Sequence, residues 1–104
     1  MVEIKTLLPL GSVVTLKKGT KKIMIVGRIQ EDVKTHKQYD YAACYYPEGI
    51  LDVHELFMFQ QEDIEYVYYV GMQDEEEFAF RSYLAKHIEK HKKKDEEINI
   101  FIRL

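Results

Sequence analysis

The chain has 104 residues, of which 46% are hydrophobic and 32% charged, and its formal net charge is −3. A chain of this length is expected to fold as a single domain, residues 1–104, around one core. Because proteins that bind nucleic acids usually carry a clustered basic surface, the negative charge argues against a nucleic-acid partner.

Cysteine content and hydropathy indicate the compartment. Cys44 is the only cysteine, so the chain can form no intramolecular disulfide, which is typical of a reducing compartment. The first residues lack the basic region and apolar run of a signal peptide, and no apolar stretch approaches the roughly 20 residues of a membrane-spanning helix. We therefore expect a cytoplasmic protein without a membrane-spanning segment.

The first elements predicted along the chain are two β-strands, Val13 to Lys17 and Lys22 to Gln30, joined by a short turn. Side chains alternate along them as in a sheet with a buried face. Gly27, inside the second strand, predicts a bulge or a bend. The positions expected to share one face are Val14, Leu16, Ile23, Ile25 and Gly27.

Three more strands are predicted, at Tyr39 to Tyr46, Leu56 to Phe59 and Ile64 to Val70. Five short strands with tight turns, followed by one helix, predict an α+β, mainly β fold. We expect a small SH3-like antiparallel barrel or a curved sheet over about residues 7–72. The residues expected to form its turns and bends are Pro9, Gly11, Gly27, Pro47 and Gly49.

A helix is predicted within residues 74–94, from about Glu75 to Lys93. Asp74 and Glu77 have the three-residue spacing of a capping box. Acidic residues near the start of the helix and lysines near its end complement the helix dipole. The side chains that recur at helical spacing are Phe80, Tyr83, Leu84, His87, Ile88 and His91.

The alternating pattern of residues 97–104 predicts a terminal strand. Four aliphatic side chains alternate there with other residues, and leaving them in water would be costly. We expect this strand to pair with a sheet edge, either of its own molecule or of a neighbouring copy, so a homodimer is one possible outcome. The four side chains are Ile98, Ile100, Ile102 and Leu104.

Residues capable of catalysis or metal binding are few. His87 and His91 stand one helical turn apart, but Ile88 occupies the position of a zincin glutamate and no third ligand is evident. Cys44 lies within a predicted strand, where cysteine commonly packs as a small apolar residue. We expect His54 to be a solvated side chain in a loop. We expect neither a metal site, a cofactor nor enzymatic activity.

Tyrosine is the abundant residue with binding potential, since the chain has eight tyrosines and no tryptophan. In the fifth predicted strand, alternation places Tyr66 and Tyr68 on one side and Tyr69 on the other, so an exposed aromatic patch is expected. Few lysines lie close by, which favours a protein ligand over a nucleic acid. The candidate protein-binding residues are Tyr45, Tyr46, Tyr66, Tyr68 and Tyr69.

Five short motifs occur in order along the first 64 residues. They are LPLGSVV from residue 8, IVGR from residue 25, YDY from residue 39, YPEG from residue 46 and EDI from residue 62. Over about residues 7–72 the chain resembles a small domain-of-unknown-function family of Gram-positive bacteria. Its members are commonly encoded in type VII (ESX-like) secretion clusters, near toxins with the LXG targeting domain.

The resemblance implies a function but carries over no catalytic residues. It implies an accessory protein, an adaptor or chaperone that binds a secreted toxin or the toxin's small helical partners. An immunity protein that neutralises a toxin domain is the first alternative. A small-barrel nucleic-acid-binding protein and an unrecognised enzyme are further alternatives.

Overall fold

The computed structural model describes the backbone of residues 7–94 and the side-chain surroundings of residues 7–87. The predicted strand at 97–104 and the side chain of His91 lie outside these described residues. The elements are β1 (Val13–Leu16), β2 (Ile23–Glu31), β3 (Gln38–Tyr45), β4 (Phe57–Phe59), a 3₁₀ helix (Gln61–Asp63), β5 (Ile64–Tyr69) and α1 (Glu75–Lys94).

The five strands form one sheet in the order β4-β3-β2-β1-β5, and every neighbouring pair is antiparallel. The predicted α+β, mainly β fold is therefore confirmed. The sheet is not closed, because β4 and β5 stand at opposite edges with no ladder between them. Of the two forms expected from the sequence, the structure has the open sheet and not the barrel.

One face of the sheet carries the core and is covered by α1; we call it the helix-side face. Paired residues of neighbouring antiparallel strands share a face. Val14 pairs with Ile23 on one side and with Val67 on the other, which continues this face across three strands. Leu84 of α1 is buried against it. The buried cluster comprises Leu7, Val14, Ile23, Ile25, Ile29, Tyr41, Ala43, Phe59 and Leu84.

A register shift in β2 changes which residues face the helix. Ile25 pairs with Ala43, but Gly27 pairs with Ala42, the next residue along β3. The expectation that Gly27 shares the face of Ile25 was wrong, because the extra residue in β2 inverts the alternation. The shift brings Arg28 onto the helix-side face, opposite Tyr41.

Arg28 is the centre of a buried ion cluster that joins β2 to α1. Its guanidinium makes two hydrogen bonds to the Glu77 carboxylate, one of them of 2.8 Å between Nη2 and Oε1. Arg81 Nε donates to the same carboxylate at 2.7 Å. The three side chains are 5%, 12% and 10% exposed for Arg28, Glu77 and Arg81, respectively. Two arginines thus share one carboxylate beneath the helix.

The pKa of Glu77 reflects two opposing effects. Burial by itself raises this pKa, but hydrogen bonds and charges from Arg28 and Arg81 outweigh burial and hold the pKa below 4.5. A carboxyl group whose pKa is lowered on folding stabilises the folded state above its unfolded pKa. This stabilisation is lost as the pH falls through the lowered, folded-state pKa.

The start of α1 is fixed by a capping contact and by close contacts of Gly71, which precedes the helix. Asp74 Oδ1 accepts a hydrogen bond from the Glu77 amide at 3.0 Å, the N-cap contact that the sequence predicted. Gly71 approaches Leu10 so closely that a Cβ on residue 71 would lie 2.0 Å from the Leu10 carbonyl oxygen. Its amide donates to Ser12 Oγ at 3.0 Å. The segment between β5 and α1 is therefore held against residues 10–12.

Asp40 is a buried carboxylate at the end of the sheet, with 1% of the residue exposed. Oδ2 accepts a hydrogen bond from the Gln61 amide at 2.8 Å. Burial raises the pKa of Asp40, the hydrogen bond from Gln61 opposes this, and the nearby charge of Glu62 raises it further. The net pKa lies above 3.8, so the charged form of Asp40 is less favourable in the folded protein than in the unfolded chain.

We predict that Glu77→Gln lowers the free energy of unfolding by about 3–5 kcal/mol, because it leaves two buried guanidinium groups without their carboxylate. Urea unfolding at pH 7 measures this change. The matched control is Glu76→Gln, at an exposed neighbouring position of the same helix, which should change stability by about 0.5 kcal/mol or less. Equal effects of the two substitutions would contradict the role of the cluster.

Asp40→Asn should raise the melting temperature at pH 7, since the amide keeps an acceptor for Gln61 and removes a buried charge. The direction of this change follows from the raised pKa of Asp40. Because the folded protein binds the proton more readily than the unfolded chain, the wild type becomes more stable as the pH falls from neutral towards 3.8. The advantage of the variant should therefore vanish near pH 3.5. Melting temperatures measured between pH 3.5 and 7 test this prediction, with Glu55→Gln at an exposed position as the control. A difference in melting temperature between Asp40→Asn and the wild type that did not change with pH would refute it.

Candidate functional site

The face of the sheet opposite α1, which we call the outer face, is also largely apolar. The pairs Val13 with Met24, Met24 with Cys44, and Ala42 with Met58 run across it from β1 to β4. Met24 and Met58 are half-buried, whereas Cys44 is buried. The paired residues of this face are Val13, Thr15, Met24, Gly27, Ala42, Cys44, Met58, Tyr66 and Tyr69.

Three tyrosines line the β5 side of the outer face. Register shifts between β1 and β5 pair Tyr66 with Thr15 and Tyr69 with Val13, and Thr15 and Val13 share a face. The strict alternation expected for β5 was therefore wrong, because Tyr68 is the additional residue of a bulge. Tyr66, Tyr68 and Tyr69 are 60%, 54% and 62% exposed.

The rings of Tyr66 and Tyr68 lie close to each other, and a cation lies close to Tyr68. The centroids of Tyr66 and Tyr68 are 6.3 Å apart. Lys22 Nζ lies 4.8 Å from the centroid of the Tyr68 ring, a distance at which a lysine is attracted to the face of an aromatic ring. The site therefore combines apolar area, phenolic hydroxyl groups and one positive charge.

Tyr45 and Tyr46 are not part of this group. Tyr45 pairs with Ile23 on the helix-side face, about 14 Å from β5 at the usual spacing between strands. Its ring packs edge-on against Phe57 at 4.9 Å, and Tyr46 follows it, outside β3. The structure therefore brings together three of the five tyrosines proposed from the sequence and separates the other two.

The turns proposed from the sequence position the strands and do not line the tyrosine group. Ser12 N donates to the Pro9 carbonyl at 3.3 Å, and Gly11 has φ of 88°. At the other end of the sheet, Gly49 N donates to the Tyr45 carbonyl at 2.8 Å across Pro47, and Gly49 has φ of 87°. Positive φ favours glycine at both positions.

A cleft of about 460 Å³ continues the outer face beyond β4. It lies between the β2–β3 turn and the segment before β4, and Met58 belongs to both the cleft and the outer face. This cleft was not predicted from the sequence. Its only signal within residues 31–38 was the isolated apolar side chain of Val33. The lining residues are Glu31, Asp32, Val33, Lys34, Val53, His54, Leu56 and Met58.

The residues weighed for metal binding or catalysis are dispersed. His54 lines the cleft and Cys44 is buried on the outer face, while His87 Nδ1 lies 3.0 Å from the Tyr83 carbonyl oxygen. Among the described residues, with side chains from 7 to 87, no group of three or more His, Cys, Asp or Glu side chains is placed to hold a metal ion. Over the same described residues, no helix combines the length and hydrophobicity needed to cross a membrane.

Comparison with known proteins identifies a family. The profile of the family described as a domain of unknown function, DUF4176, matches residues 7–80. No curated protein and no solved structure matches the chain. The matched region contains all five strands and the first six residues of α1, including both Arg28 and Glu77. Because the match covers more than half of the 104 residues, the chain belongs to the DUF4176 family.

Proposed function

We propose that this protein is a non-enzymatic accessory factor, an adaptor or chaperone that binds an LXG toxin destined for type VII secretion. The outer face with its three tyrosines is the proposed binding surface. Membership of DUF4176 supports the proposal through the resemblance stated above, which implies an accessory role in such secretion clusters. The exposed tyrosines of the outer face support the proposal independently of the family.

The exposure of Tyr66, Tyr68 and Tyr69 is the observation that carries the proposal. All three are more than half exposed and lie on one strand at the edge of an apolar sheet face. Tyrosine is enriched at protein interfaces, because its ring buries a large area while few rotatable bonds are ordered. Three exposed aromatic side chains on one strand of a small domain are typical of an interaction site.

The surroundings of the tyrosines suit an apolar protein segment. Met24 and Met58 are half-buried on the same face, and methionine adapts its flexible side chain to differently shaped partners. The Tyr66 and Tyr68 hydroxyl groups can satisfy polar groups at the rim of an interface. A chaperone that shields an apolar helix of a toxin's targeting region before export would need this combination.

Charge near the tyrosines favours protein over nucleic acid. Lys22 is the cation over the Tyr68 ring, and Glu65 of β5 is the only charged residue between Ile64 and Val70. The neighbouring Lys21 pairs with Glu48 at 2.8 Å. Binding to a phosphate backbone relies on several lysines or arginines that release counterions.

Co-purification with separate parts of a toxin tests the function. The protein should retain the LXG targeting domain expressed without its toxic domain. Retention of the toxic domain alone would instead support an immunity protein, and retention of neither would overturn both functions.

Substitution of the tyrosines tests the binding surface. Tyr66→Ser/Tyr68→Ser/Tyr69→Ser should weaken binding of the targeting domain more than about tenfold, since a truncated interface tyrosine often costs more than 1 kcal/mol. The matched control, Tyr46→Ser/Phe78→Ser, removes two other exposed aromatic rings and should leave affinity nearly unchanged. Circular dichroism checks that both variants fold. Equal losses would show that the outer face is not the binding surface.

A further inference from the structure

Among the residues that the structure describes, β5 presents an unpaired edge with exposed side chains. It pairs with β1 on one side and is the last strand of the sheet on the other. Val67, on the helix-side face, is 46% exposed, although its partner Val14 is fully buried. Five of its six residues are exposed, so neither face of β5 is covered by the described part of the chain. Such an edge is a template for another strand.

The end of this chain matches the edge in length and pattern. Residues 98–104 read INIFIRL and contain one charge, Arg103; residues 64–70 read IEYVYYV and contain one charge, Glu65. An antiparallel alignment that places Arg103 opposite Glu65 also places Ile98, Ile100 and Ile102 opposite Val70, Tyr68 and Tyr66. Opposite charges and aliphatic–aromatic pairs across strands are both stabilising.

A parallel alignment is electrostatically worse. Placing Ile98 beside Ile64 in a parallel strand would bring Glu96 and Glu97 alongside Glu62 and Asp63. Like charges directly opposite one another on neighbouring strands are destabilising. In the antiparallel alignment these glutamates lie opposite Met72 and Gly71, which are uncharged.

Chain length decides which molecule supplies the antiparallel strand. α1 has 20 residues and is therefore about 30 Å long. The steps from Val70 to Glu75 span at most about 17 Å, and those from Lys94 to Ile98 at most about 14 Å. To bring Ile98 beside Val70 within one molecule, the two links and the roughly 5 Å between neighbouring strands must together cover the length of the helix. Both links would then have to run back along the helix axis in a nearly extended form, with few residues left to turn the chain.

We propose that the β5 edge binds residues 98–104 of a second copy of this chain, and that two copies exchange these strands reciprocally. Each copy then contributes one edge and one terminal strand to a two-fold symmetric dimer, as β-augmentation between identical chains requires. The exchanged strand would lie beside Tyr66 and Tyr68, but the mass measurements that test the exchange need no toxin, so each proposal can fail without the other.

Size-exclusion chromatography with light scattering tests the proposal first. The full chain should have the mass of a dimer at micromolar concentration, and deletion of residues 97–104 should give a monomer. A full chain that remains monomeric, or a truncated chain that remains dimeric, would overturn the proposal.

Charge reversal tests the alignment and the exchange. Glu65→Arg and Arg103→Glu should each raise the dimer dissociation constant about 5- to 30-fold, since each turns two attractive pairs into repulsive ones. The double variant should recover the wild-type value. The control, Glu62→Arg, changes an exposed acidic residue outside β5 and should alter dimerisation little.

Mixing the two single variants separates exchange from pairing within one molecule. In an exchanged heterodimer, the substituted position 65 of one copy faces the substituted position 103 of the other, and the native Glu65 faces the native Arg103. Both pairs then carry opposite charges. The mixture should therefore form a dimer at concentrations where each variant alone is monomeric, which also shows that both fold. A mixture no more dimeric than its components would refute the exchange.

Discussion

The interaction on which the rest of the structure depends is the buried contact of Glu77 with Arg28 and Arg81. A charge removed from water is costly unless it is paired, so the helix can settle only where the carboxylate meets both guanidinium groups. Arg28 reaches that position because the register shift in β2 turns it towards α1. One ion cluster thus determines which face of the sheet the helix covers, and therefore which face the helix leaves uncovered.

The position of the helix also explains the uneven burial of the sheet. The core cluster draws on β1 to β4 and on Leu84 of α1, with Ile64 of β5 only partly buried against it. Val67 lies one strand beyond the covered region and remains nearly half exposed. An edge strand with exposed residues on both faces is unusual in a domain that works alone. The tyrosines of β5 are exposed because they lie at the edge of the outer face, which α1 does not cover.

The strands and the helix could be predicted because apolar periodicity and capping residues act locally. The face of the sheet on which each side chain lies could not be predicted fully. A single extra residue in a bulge inverts the alternation of side chains, and the pairing with the neighbouring strand decides where a bulge forms. Gly27 and Tyr69 were misplaced for this reason. Glu77 was expected to complete a capping box, yet its carboxylate binds Arg28, a residue 49 positions earlier in the chain. The cleft beside Met58 depends on two distant loops and had almost no signal in the sequence.

The two edges of the sheet differ in a way that governs how far it can grow. β4 contributes only three residues, Phe57–Phe59, and a 3₁₀ helix follows it almost at once. The side chains of Gln60, which caps this helix, and of Asp63 accept hydrogen bonds from nearby backbone amides. So short an edge offers too few free amide and carbonyl groups to seed a further strand. A sheet able to extend at β5 alone has a natural stop, so the strand exchange proposed above would end with a finite particle in place of an open fibre.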